Sequence, residues 1–103
     1  MKKILFISGS RADYGLLRDV IIETQKLNKS TYLLVTGSHL SKEFGETISE
    51  IKNDKIKNII KKKLLQKNFE AMDINNYIAN SIKNTSEVIK KENPSVIVIL
   101  GDR

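Results

Sequence analysis

The sequence predicts an α/β protein built on a parallel sheet with helices on both faces. Two observations predict it. Short, near-continuous apolar runs recur along the chain: "KILFIS" (3–8), "STYLLVTG" (30–37) and "SVIVIL" (95–100). Strands that read this way are buried on both faces, as parallel strands are. Between the runs lie stretches in which apolar residues recur with helical spacing, so that strands alternate with helices.

Each element follows from its own residues. The run at 3–8 is rich in β-branched residues and stops at Gly9-Ser10. Leu17, Val20, Ile21, Thr24 and Leu27 then trace one helical face, with Asp13 as its cap. The strand at 30–37 closes on Thr36-Gly37-Ser38. Ser41 caps a short helix that carries Phe44, Ile48 and Ile51 on one side, and Gly45 inside it costs about 1 kcal/mol against alanine. Residues 55–66 fit a helix through Ile56, Ile59, Ile60 and Leu64, yet an alternating order needs a strand there, about 57–65. Ile74, Tyr77, Ile78, Ile82, Thr85, Val88 and Ile89 give about four turns of amphipathic helix with Asp73 as cap. Asn93-Pro94 ends that helix, because the residue before a proline is pushed out of the helical region. The run at 95–100 is the last strand, and it leads into Gly101-Asp102-Arg103.

Composition narrows the function classes. At 103 residues the chain has room for one small domain. No apolar stretch approaches the ~18 residues of a membrane-crossing helix. The apolar part of "MKKILFISGS" is shorter than the roughly 7–15 residues of a signal-peptide core, so the segment reads as a first strand. The absence of cysteine excludes a disulfide framework, a thiolate nucleophile and cysteine-based metal sites, and a cytoplasmic protein fits best. No cofactor and no metal site are expected. The net charge of +6 raises nucleic-acid binding as a question. Ile, Lys and Asn supply 15, 15 and 9 of the residues, which is a general bias rather than a patch. "KNDKIKNIIKKKLLQK" also lacks the interleaved aromatics of a single-strand binder, so a solvated basic face is the reading and nucleic acid is not an expected partner. Lysines outnumber arginines fifteen to three. Arginine's planar fork suits phosphate or carboxylate, and Arg11 and Arg103 each follow a glycine-containing turn after a strand.

Polar residues converge at the strand ends. Ligands of an open parallel sheet bind beyond the carboxyl ends of its strands. Those ends carry Ser8-Gly9-Ser10-Arg11, Thr36-Gly37-Ser38-His39 and Gly101-Asp102-Arg103. Gly9 and Ser10 precede a helix whose free N–H groups favour an anion. The set suits a phosphorylated or nucleotide-linked small molecule. Singly, each piece also has a plain reading. Gly9-Ser10 is an incomplete dinucleotide fingerprint, and no Walker A pattern is present. His39 alone reads more readily as a solvent-facing side chain or a local hydrogen-bond partner, and Asp102 also fits a strand-end cap. Three polar ends on one edge say more than any one turn.

"GSRADYGLL" (9–17), "TGSHLSKEFGETISEI" (36–51) and "VILGDR" (98–103) together resemble the hydrolysing UDP-N-acetylglucosamine 2-epimerase family, in its bacterial sialic-acid and legionaminic-acid branch. The resemblance implies two Rossmann-like domains of GT-B-like arrangement with the active site between them. Residues 1–103 would be the first part of the N-terminal domain, incomplete, with the C-terminal domain absent, and the chain a fragment or truncated product. It further implies a UDP-linked sugar as substrate, a homo-oligomeric parent, Arg11 near the nucleotide phosphates, Asp102 among the catalytic carboxylates, and Ser38 and His39 beside the cleft. Gly9, Ser10 and Arg103 join the substrate-binding set. Several relatives carry a lysine five residues after the arginine, where this chain has Leu16; Arg18 is a candidate to supply that charge. The competing expectations are another nucleotide-sugar enzyme of the same architecture, such as a glycosyltransferase, and a catalytically silent half-domain or partner-binding remnant.

Overall fold

The computed structural model describes residues 2–36, 46–62 and 71–100. Strand β1 (Ile4–Ser8) is followed by helix α1 (Arg11–Leu27), β2 (Thr31–Val35), α2 (Glu46–Asn53), β3 (Ile59–Lys61), α3 (Ala71–Glu92) and β4 (Val96–Ile99). The strands form one sheet in the order β3-β2-β1-β4, and every pairing is parallel. Ser8 lies opposite Val35 on one side of β1, and Ile7 opposite Ile99 on the other. The expected fold class is therefore the one observed.

Alternation along the strands divides the core into two layers. Phe6, Leu33 and Val35 point to one face, where Tyr14, Leu17 and Ile21 of α1, Ile51 of α2 and Ile56 pack on them. Leu5 and Leu34 point to the other and meet Val88 of α3, with Ile7, Tyr32, Ile60 and Ile89 around them. Helices thus cover both faces: α1 and α2 on one, α3 on the other.

Several local expectations change. Ser10, rather than Asp13, is the N-cap of α1: its side chain accepts from the Asp13 N–H, and the helix already begins at Arg11. Two cap-type residues stand three apart here, and the nearer one to the strand takes the cap. In α1, Leu17 and Ile21 are buried as expected, whereas Val20 and Leu27 are exposed. The buried arc of α1 is rotated toward α2, through Tyr14. Strand β3 is three residues, shorter than the expected 57–65. Asp73 lies inside α3, which starts at Ala71, so it is not the cap. The expected cap Ser41 and Phe44 lie outside the described residues. Asn93 ends α3 as foreseen; it takes a left-handed φ of 48° and its N–H returns to Ile89 O at 2.8 Å. β4 is not the fully buried strand its apolar sequence suggests. It pairs with β1 alone among the described residues, and Val96, Ile97 and Ile99 are exposed.

Candidate functional site

The topology creates a switch point. From β1 the chain crosses to β2 and β3 on one side, then returns through α3 to β4 on the other side of β1. In open parallel sheets the crevice outside the carboxyl ends at such a reversal is where ligands bind. Because all strands are parallel, β1, β2 and β4 end on the same edge. The polypeptide leaving β1 there is Gly9-Ser10-Arg11. Ser38 and His39 follow β2, and Asp102 and Arg103 follow β4; all four lie outside the described residues.

The β1 turn is described in detail. Ser8 is buried, and its hydroxyl donates to Ser10 O at 3.2 Å. The Tyr14 N–H closes the first turn of α1 on the same carbonyl at 3.0 Å. Asp13 reaches back, so that the Gly9 N–H donates to its Oδ2 at 3.4 Å. A carboxylate at this helix end is favoured by the macrodipole. The Gly9 and Ser10 groups are therefore partly engaged within the turn. A Cβ at Gly9 would meet Asp13 Oδ2 at 3.7 Å, an ordinary contact, so the turn itself does not require glycine. Arg11 is placed by its backbone as the first residue of α1.

A second cluster lies one to two turns further along α1. The Tyr14 hydroxyl donates to Asp54 Oδ2 at 2.6 Å. Arg18 grips the same carboxylate with two prongs, Nε to Oδ2 at 2.8 Å and Nη2 to Oδ1 at 3.1 Å, while its Nη1 donates to Asp19 Oδ1 at 2.9 Å. A shallow recess of about 310 Å³ beside them is lined by Tyr14, Gly15, Arg18, Glu50, Asn53 and Asp54. The charge of Arg18 is thus engaged by Asp54 and Asp19. Nothing in the sequence announces this trio. Tyr14 and Arg18 stand one turn apart on α1, but Asp54 is 40 and 36 positions away from them. The one available signal was Tyr14, a polar-tipped aromatic on the buried side of α1.

The cluster sets a pH window. The Arg18 guanidinium bonded to Asp54 holds that carboxyl below its usual range; its partial burial acts against this, and the Tyr14 hydroxyl adds to it. Burial first, then the hydrogen bond to Asp54 and its charge, push the Tyr14 hydroxyl well above the ordinary value of 10.0. Asp54, lowered on folding, contributes stability above about pH 4 that is lost as pH falls through its folded value. Tyr14, raised on folding, contributes stability that is intact below about pH 10 and declines as pH rises beyond it. Urea midpoints measured across pH should fall off at both ends. Tyr14→Phe should flatten the alkaline arm, and Asp54→Asn part of the acid one.

The sheet, its switch point and the helix opening at that point define an α/β domain of the Rossmann-like class. A sequence model of the UDP-N-acetylglucosamine 2-epimerase family matches residues 22–103. The chain belongs to that family. It is 36% identical over its whole length to the UDP-N,N'-diacetylbacillosamine 2-epimerase (hydrolyzing) of Legionella pneumophila, of which it covers 28%. It is 33% identical over 99% of its length to the GDP/UDP-N,N'-diacetylbacillosamine 2-epimerase (hydrolyzing) of Campylobacter jejuni, covering 27% of it. Over its whole length it is 30% identical to the UDP-N-acetylglucosamine 2-epimerase of Neisseria meningitidis, again covering 27%. The chain thus spans little more than a quarter of the length of these relatives. No helix among the described residues is long and apolar enough to cross a membrane.

Proposed function

We propose that this chain is the opening part of the N-terminal domain of a cytoplasmic, homo-oligomeric, hydrolysing nucleotide-sugar 2-epimerase. Its reaction is the conversion of UDP-N-acetylglucosamine, or the 2,4-diacetamido analogue, to the 2-epimeric free sugar and UDP, in nonulosonic acid biosynthesis. The observation that carries this reading is the adjacency of β1 and β4 at the switch point, because their sequences lead into Gly-Ser-Arg and Gly-Asp-Arg on one edge. The names of the relatives support the same chemistry.

The reaction runs in two stages. A base removes the proton from C2 while the C1–O bond breaks, and UDP departs with the electron pair, leaving a 2-acetamidoglucal. Water then adds across C1 and C2, with hydroxyl at C1 and a proton at C2 from the opposite face. Proton transfers call for carboxylates, and the leaving diphosphate calls for cations and N–H donors. Asp102 takes a proton-transfer role. Arg11 and Arg103 carry charge for the diphosphate. Gly9 and Ser10 offer the helix opening, and Ser38 and His39 flank the cleft.

Half of an interdomain cleft neither excludes water nor holds both ends of a substrate. The exposed apolar side chains of β4 agree with a sheet that gains further cover in a longer polypeptide. The test compares this chain with a polypeptide extended to the length of its relatives. UDP release from UDP-N-acetylglucosamine or its 2,4-diacetamido analogue, without any acceptor, is expected from the extended protein and not from the 103-residue chain. UDP release that requires an acceptor would point to a glycosyltransferase instead, and turnover by the short chain would refute the half-site argument.

A further inference from the structure

Resting on the epimerase reading, we infer that Ser8 and Asp13 are positioning residues, which together hold the Gly9-Ser10-Arg11 turn in the shape that receives the diphosphate. Ser8 is fully buried at the end of β1, and its register partner on β2 is the apolar Val35. A buried hydroxyl needs a hydrogen bond, and this one donates forward into the turn, to Ser10 O at 3.2 Å. Ser8 itself is pinned to the sheet, because its carbonyl accepts from the Thr36 N–H at 3.1 Å. Asp13 holds the turn from the helix side. Its Oδ2 accepts from the Gly9 N–H at 3.4 Å, and its own N–H donates to Ser10 Oγ at 3.2 Å. This is a capping box whose carboxylate reaches one residue beyond the cap. Ser10 O takes a second donor, the Tyr14 N–H, at 3.0 Å.

These bonds leave the turn little freedom, although its sequence is glycine and serine. They tie down the Gly9 N–H, the Ser10 carbonyl and the Asp13 N–H. The N–H groups of Arg11 and Ala12, the first two residues of α1, have no carbonyl partner within the helix. Such groups favour an anion, and Arg11 stands among them. A turn that had to be ordered on binding would lose that entropy from the affinity, whereas one fixed beforehand does not. The choice of a carboxylate is informative. Close to a bound diphosphate it repels, so an acidic residue here lowers affinity unless its grip on the turn returns more. A helix cap alone does not require it, since Ser10 already fills that place.

Ser8→Ala and Asp13→Ala each remove one hold. In the extended enzyme, each should raise the KM for UDP-N-acetylglucosamine and the Kd for UDP by roughly three- to tenfold, the worth of one hydrogen bond, with kcat little changed. Asp13→Asn keeps an oxygen for the Gly9 N–H and should recover most of the loss. Kd is read by calorimetry well below the melting temperature of each variant. A merely structural role would lower the melting temperature of both alanine variants and leave KM and Kd at the wild-type values, which would overturn the proposal. Tighter UDP binding by Asp13→Ala would overturn it too, as the mark of a carboxylate that only repels. In the 103-residue chain, hydrogen exchange at the Gly9 amide should quicken at least about tenfold in Asp13→Ala, while the Leu33 amide, bonded to Asn58 O, keeps its rate. An unchanged Gly9 rate would likewise overturn the proposal. If the unsubstituted extended protein releases no UDP, the epimerase reading fails, and the Gly9 exchange still decides whether Asp13 holds the turn.

Discussion

Asp102→Asn in the extended enzyme is expected to cut UDP release by about 10²- to 10⁴-fold, the usual worth of a positioned acid or base. The substitution keeps size and most hydrogen bonding but cannot exchange a proton at C2. In the proposed reaction, proton removal and return at C2 take place on opposite faces, so loss of a group that serves one of them should stop the sequence at that stage. The kinetic form of the loss is informative. A group that acts only in the transition state lowers kcat and kcat/KM together, whereas one that only binds the sugar raises KM. Stopped assays for UDP at saturating substrate make the distinction. A variant within about threefold of the parent rate would remove Asp102 from proton transfer and leave it as a cap on the strand.

The largest effect on stability is expected at Phe6. It is 1% exposed at the centre of the layer beneath α1 and α2, on a strand paired on both sides. Phe6→Ala should cost about 3–5 kcal/mol through lost burial and the cavity left behind. Domains of this size have only about 5–15 kcal/mol in total, so the variant should be near or past its unfolding midpoint in water. Urea titration followed by far-UV dichroism reads this directly. Leu27→Ala is the control, since Leu27 is 87% exposed and such a surface change stays within about 0.5 kcal/mol. Equal losses at both sites would mean that the packing around β1 is not as described.

Most of the architecture was legible because the strands are short and apolar and the helices periodic. Strands β1, β2 and β4 fell where their apolar runs lie, and α3 ended at Asn93 for a local steric reason. What escaped was set by partners far along the chain. Val20 and Leu27 fit an apolar helical face, but the buried arc of α1 turns toward α2, leaving them in solvent. Gln25 shows the same rotation: its side chain donates to Lys55 O at 3.0 Å. Apolarity placed β4 inside, whereas its exposure depends on what lies beyond it in the sheet. The parallel sheet was legible from the alternation of strands and helices, and its reversal at β1 is read from the strand order. The Tyr14–Arg18–Asp54 trio was not legible, because a contact across forty positions has no signature until the fold brings its members together.

The placement of β1 between β2 and β4 has a consequence for how the molecule comes into being on the ribosome. One neighbour of β1 is its immediate successor, but the other is the last strand described, and Lys3 meets Glu92 across a separation of 89 positions. The half made of β1, α1, β2, α2 and β3 uses contacts between consecutive elements and is able to assemble as it emerges. The second edge of β1 must wait until β4 has been made. At ordinary translation speeds that interval is roughly five to twenty seconds, long compared with strand pairing itself. Throughout it, a strand carrying Leu5 and Phe6 presents a bare hydrogen-bonding edge, the kind that recruits other chains. The nascent chain therefore passes through a stage in which its most central strand is also its most adhesive one, and arrival of the α3–β4 unit is the event that ends it.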